Sequence, residues 1–190
     1  MCFGIALSKI QFLNYFMYMH KKISLNGCKL TLKDSVSIAY GAQVEIDGKA
    51  KKRVKESRNF VKKISEKKRP VYGINTGFGF FANKLIDAKS LKNLQHNLIV
   101  SHAVGTGPSL SIPETRLVMA LRLNVLVKGL TGVRFEVCAL LKNLINSEIY
   151  PLIPEYGSVG ASGDLAPLAH LALTLIGLGN VSYRGKVTDA

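Results

Sequence analysis

Between Gly157 and Asp164 the chain reads Gly-Ser-Val-Gly-Ala-Ser-Gly-Asp, with the triplet Ala161-Ser162-Gly163 at its centre. Ser162 first invites comparison with a nucleophile elbow, which is Gly-x-Ser-x-Gly on a strand-to-helix turn. Here Gly160-Ala-Ser-Gly163 is one residue short, no strand-like run precedes it, and no His with an acid completes a triad. The triplet can instead react with itself. In a sharply bent backbone the amide nitrogen of Gly163 can attack the carbonyl carbon of Ala161. Loss of one water from the ring, and of the Ser162 hydroxyl as a second, leaves an imidazolone with an electrophilic exocyclic methylene. Gly163 has no side chain to obstruct the attack, and Ala161 keeps the ring uncrowded. Asp164 is placed to assist the proton transfers and to cap the next helix, whose N-terminus favours negative charge on the ring.

Two further stretches carry side chains of chemical interest. Tyr72 stands at the mouth of Pro70–Phe81, a segment with Gly73, Gly77 and Gly79 among aromatics. As a phosphate-binding fingerprint this fails, because the third glycine and a surrounding βαβ pattern are missing. On its own, Tyr72 reads first as a packing residue. His102 extends the stripe of Leu91, Leu94 and Leu98, where a lone histidine is ordinarily a satisfied core residue.

The elements that must position these residues are mostly helical. Tyr150-Pro-Leu-Ile-Pro154 enters the Gly157–Asp164 loop, and Asp164–Ile176 leaves it as a buried helix with Pro167 in its first turn. Upstream, Ile23-Ser-Leu25 and Leu30-Thr-Leu32 alternate about Asn26-Gly27, which predicts a β-hairpin with a type I′ turn. Helices are expected over 34–40, over 49–68, from Ser90 as cap to Gly105, from the Ser111–Glu114 capping box to Gly129, and over 135–146. The fold class is therefore mainly α with a small β-hairpin near the start.

Length and composition suit one globular domain: 190 residues, 47% hydrophobic and 20% charged. Of the +14 net charge, most precedes Pro70, where sixteen of the 26 Lys and Arg but five of the 12 acids lie. Phe60 is the one aromatic within the basic run 49–69, so that run reads as a solvated helix face and nucleic acid as an improbable partner. Cys2, Cys28 and Cys138 have no paired spacing, which fits free thiols in the cytoplasm. The four histidines lack metal-ligand spacing, so no metal is expected. Met1–Met19 is apolar but interrupted by Lys9, Gln11 and Asn14, neither a membrane span nor a signal peptide. Residues 1–21 are expected to be an extension outside the domain, disordered or not native, with the natural start at Met19 and residues 1–18 upstream of it. The domain occupies 22–190.

Gly157-Ser-Val-Gly-Ala-Ser-Gly-Asp-Leu-Ala-Pro-Leu-Ala169 resembles the signature of the aromatic amino acid ammonia-lyases, which form 4-methylidene-imidazol-5-one (MIO) from Ala-Ser-Gly. Tyr72-Gly-Ile-Asn-Thr-Gly-Phe-Gly79, Asn93-Leu-Gln95 with Ser101-His-Ala103, and Leu130-Thr-Gly-Val-Arg134 agree in content and order. The resemblance implies the N-terminal, MIO-bearing helical part of the ammonia-lyase fold, with the MIO made autocatalytically from Ala161-Ser162-Gly163 and no external cofactor. It implies that Ser162 supplies the methylene, that Tyr72 removes the substrate β-proton, and that Gly79 lines the pocket. Ser101-His102 resembles the histidine-specific members, tyrosine- and phenylalanine-specific ones tending to His-Leu and Phe-Leu. The implied reaction is L-histidine to trans-urocanate and ammonia. Tyrosine or phenylalanine lyase, aminomutase, and a non-catalytic binding subunit are the alternatives.

The resemblance also implies what lies outside this chain. Family members continue beyond Ala190 into a substrate-carboxylate site and the long helices of a homotetramer core. The 190 residues alone are therefore expected to be inactive or nearly so, completed by oligomerisation or by a complementing C-terminal chain.

Overall fold

The computed structural model describes residues 21–67, 69–158, 163 and 165–190, so the expectations for Met1–Met19, Ala161, Ser162 and Asp164 lie outside the described residues. Strand β1 (Lys22–Leu25) pairs in parallel with β2 (Gln43–Ile46), Ile23 facing Val44 and Leu25 facing Ile46. Helix α1 (Leu32–Ala39) makes the crossover. The hairpin expected about Asn26-Gly27 is thus not formed. The Asn26 side chain accepts the amides of Cys28 and Lys29, curling the chain locally, and Thr31 Oγ1 accepts the Asp34 amide at 3.1 Å. Leu30-Thr-Leu32, read as a second strand, is the approach to a helix N-terminus.

A hairpin does occur at the other end of the chain. Strands β6 (Asn180–Tyr183) and β7 (Lys186–Asp189) join through Arg184 and Gly185, both at positive φ (51° and 75°), as a type I′ turn requires. Strand β4 (Ile149–Pro151) completes that sheet in the order β4-β6-β7. Strand β3 (Thr106–Ser109) pairs antiparallel with β5 (Pro154–Tyr156).

The remaining helices are α2 (Gly48–Ser65), α3 (Ala88–His102), α4 (Ile112–Val127), α5 (Phe135–Asn146) and α6 (Leu165–Leu175). Asp47 caps α2 by accepting the amides of Lys49 and Ala50. Asp87, not Ser90, caps α3; the Ser90 amide itself donates to Asp87 at 2.9 Å. The Ser111–Glu114 capping box opens α4 as expected. Six helices among the described residues make the fold mainly α.

Helix α4 runs through the core, burying Met119, Ala120, Leu123, Leu126 and Val127 against α1, α5 and the β1–β2 pair. Arg116 is buried with them at 2% exposure, yet no carboxylate among the described residues meets it. Its guanidinium donates to the carbonyls of Ile38, Ala42 and Ile145 and to the Tyr150 hydroxyl, at 2.7–3.1 Å. A buried charge is tolerated when its donors are satisfied, and here it ties the ends of α1 and α5 to β4.

Candidate active site

The loop bearing Tyr72 is held from within by Asn75, a buried residue whose role sequence reading missed. Its side-chain oxygen accepts the Val71 amide at 2.7 Å, and its nitrogen donates to the carbonyls of Lys67 and Arg69. Its backbone carbonyl accepts the Ile86 amide, closing the far side of the loop. Tyr72 itself is exposed and meets Phe78 edge-on, with ring centroids 5.8 Å apart.

His102 closes α3. Its Nδ1 lies 2.8 Å from the carbonyl of Leu98 and 3.2 Å from Ser101 Oγ. A carbonyl can only accept, so Nδ1 carries a proton, which leaves Nε2 as the ring nitrogen directed away from the helix backbone. Ser101 Oγ donates to the same carbonyl at 3.2 Å.

Gly157, where the loop begins, packs against Gly105, three residues beyond His102. A side chain on Gly157 would come within 3.0 Å of the Gly105 Cα and 3.1 Å of the Ala166 Cβ, so this approach requires glycine. His170 Nε2, one turn further along α6, accepts the Gly105 amide at 3.1 Å. Burial lowers the His170 pKa below its ordinary value, which favours the neutral form this bond needs. The β3–β5 pairing and this bond together bring the end of α3 beside the start of α6. Sequence analysis missed His170, and only its place on α6 could have signalled it.

These contacts converge on one cleft of about 700 Å³, lined by Tyr72, Phe78, His102, Arg122, Gly163 and residues of α3 and α6. Tyr72, His102 and Gly163, three of the residues singled out from sequence, share it. Ser101 lines the neighbouring apolar groove with Phe81 and Leu94, and Gly79 lies one residue beyond Phe78 at φ 55° without lining the cleft. Arg122 was not anticipated: its spacing on α4 looks like that of any solvent-facing residue. Gly163 has φ 92° and open space around its missing side chain, compatible with a bent, uncrowded triplet. Among the described residues no group of three His, Cys, Asp or Glu could hold a metal, and no helix is long and apolar enough to cross a membrane.

The family model for aromatic amino acid lyase matches residues 30–190. The chain belongs to the aromatic amino acid lyase family. A histidine ammonia-lyase from Myxococcus xanthus is 48% identical over 166 residues, 87% of this chain and 33% of that protein. The crystal structure of a histidine ammonia-lyase from Trypanosoma cruzi matches with a TM-score of 0.80 and 38% identity, over 88% of this chain and 32% of that one. A tyrosine aminomutase from Streptomyces globisporus matches as well, at a TM-score of 0.81 and 36% identity over the same shares. The chain thus spans about a third of the length of the lyases it matches. The shared fold serves more than one reaction, so the substrate must be argued from the site.

Proposed function

We propose that this chain supplies the electrophile loop, the base and the selectivity residue of a histidine ammonia-lyase. The observation that carries the reading is the convergence of Tyr72, His102 and Gly163 on one cleft. Ala161, Ser162 and Gly163 are the residues that would form the MIO, which when formed supplies an electrophile for the substrate's amino group. Tyr72 takes the substrate β-proton, and its exposed side chain at the cleft mouth is accessible for that role. Nε2 of His102 accepts the N–H of a substrate imidazole, which must find a partner once buried. Gly79 and Ser101 border the substrate from the adjoining turn and groove, and Asp164 assists ring formation. The substrate is L-histidine and the product trans-urocanate. Carboxylate binding falls to polypeptide outside this chain, in a cytoplasmic homotetramer or a complementing chain.

A chimera tests this. Replacing the matching third of the Myxococcus xanthus enzyme by residues 22–190 should retain urocanate production from L-histidine, followed by absorbance. Ser162→Ala in the chimera should abolish it, together with the loss of two water molecules from the intact mass. Turnover of L-tyrosine without L-histidine would overturn the substrate assignment. The 190-residue chain alone should show little or no urocanate.

A further inference from the structure

His170 stands half-buried in the second turn of α6 and does not line the candidate active-site cleft, although Ala169 and Ala172 beside it do. Its Nε2 is taken up by the Gly105 amide, 3.1 Å away and 65 positions earlier in the chain. The ring therefore serves backbone, and what it holds is the junction between α3 and the Gly157–Asp164 loop. The Ala103 amide still reaches back to the carbonyls of Ile99 and Val100, so α3 continues to within two residues of Gly105. The His102 ring is tied to the same helix by the Leu98 carbonyl. Fixing Gly105 thus fixes His102.

The surroundings of Gly105 are crowded. A side chain there would lie 3.2 Å from His170 Nε2, from the Pro154 Cβ and from the Tyr156 carbonyl oxygen. Gly157 follows Tyr156 directly and opens the loop, and α6 leads out of it. Backbone pairing alone holds this junction weakly. Strands β3 and β5 match at Thr106–Tyr156 and Ser109–Pro154, with a register shift between the two pairs. Pro154 has no amide to donate, and every β3 residue is exposed. A short, exposed two-stranded ribbon opens readily. The His170 bond lies at the end of that ribbon nearest His102.

The geometry points to His170 as a positioning residue: by holding the Gly105 amide, it sets the alignment of His102 with the loop that runs from Gly157 into α6. This role rests on the lyase reading above. A substrate imidazole held by His102 is then presented to the electrophile at a fixed separation, and a misplacement of about 1 Å can cost about a hundredfold in rate. The bond needs an acceptor where Nε2 stands. Glutamine can put its side-chain oxygen there, asparagine is one methylene too short, and leucine has no acceptor.

Two measurements test it. In the 190-residue chain, hydrogen–deuterium exchange read by mass spectrometry should quicken at least about fivefold over 103–109 and 154–158 in His170→Leu, and stay at the wild-type rate over 135–146. His170→Gln should exchange like wild type in all three segments. In the chimera with the Myxococcus xanthus enzyme, kcat is counted per chain that has lost two waters by intact mass. His170→Leu and His170→Asn should each lower that kcat at least about tenfold. KM for L-histidine should stay within about threefold, because His102 keeps its own helix and its Leu98 contact. His170→Gln should restore kcat to within about threefold of the parent chimera. A merely structural role would shrink the folded or cyclised fraction and leave kcat per cyclised chain unchanged, and that result would overturn the inference. So would unchanged exchange in His170→Leu, or a glutamine variant no better than leucine. An unmutated chimera that makes no urocanate would overturn the lyase reading instead, and exchange over the two junction segments would then decide whether His170 holds them.

Discussion

Arg116 and Arg122 lie six residues apart on α4 and have opposite circumstances. Arg116 is sealed in the core, with three backbone carbonyls and a tyrosine hydroxyl around its guanidinium. Arg122 is half-buried between two clefts and has no hydrogen-bond or ion-pair partner among the described residues. The first cation is part of the architecture, and its bonds depend on where the ends of α1 and α5, the start of β2 and strand β4 are placed. The second is available to something that arrives. The difference teaches that one helix can hold a cation sealed among backbone carbonyls on one face and present another to the clefts on a different face.

The strongest test of the comparison is Arg116→Leu. It leaves the carbonyls of Ile38, Ala42 and Ile145 and the Tyr150 hydroxyl without their donor, and should cost about 3–5 kcal/mol in urea unfolding. Retained wild-type stability would show that water replaces those donors. At the solvent end of the same helix, Ser111→Ala removes one half of the capping box and should cost about 1 kcal/mol by the same measurement.

The loop anchor responds to pH. Burial holds the His170 pKa below its ordinary 6.5, so the unfolded chain binds this proton more readily than the folded one. The associated stability is whole above the unfolded value and declines as pH falls below it. Unfolding midpoints of wild type should therefore drop between about pH 7.5 and about pH 5.5 by more than those of His170→Gln. Asp34, Asp87 and Glu114, lowered chiefly by hydrogen bonds from Thr31, Ser90 and Ser111 respectively, contribute only nearer the carboxylate range. The smallest change belongs to Arg122→Leu, which should alter stability by no more than about 0.5 kcal/mol. A loss comparable to that of Arg116→Leu would erase the distinction between the two arginines.

Local chemistry was legible where one or two neighbours decide it. The capping box at Ser111 and the helix over Phe135–Asn146 depend on residues a few positions apart, and both stand as read. The Asn26-Gly27 hairpin failed although its turn signal was sound, because the partner strand comes from Gln43–Ile46 and Thr31 begins a helix instead. Arg184-Gly185 made a hairpin without the usual Asn-Gly signal, since β4 holds β6 in place from the other side. At the site, Tyr72, His102 and the Gly157–Asp164 loop were visible as types and spacings. Asn75, Arg122 and His170 were not, because their partners or clefts come from elsewhere in the chain or from another face of the fold.

By itself, the sequence determined the Ala161-Ser162-Gly163 triplet, the family signature and most helix boundaries, since these follow from covalent neighbours and helical periodicity. Tertiary structure alone decided the rest. It brought Tyr72, His102 and Gly163 to one cleft, through Gly105 packed against Gly157 and hydrogen-bonded to His170. It also buried one arginine of α4 and left the other without a partner among the described residues. Both depend on contacts between residues tens of positions apart, which no local pattern encodes.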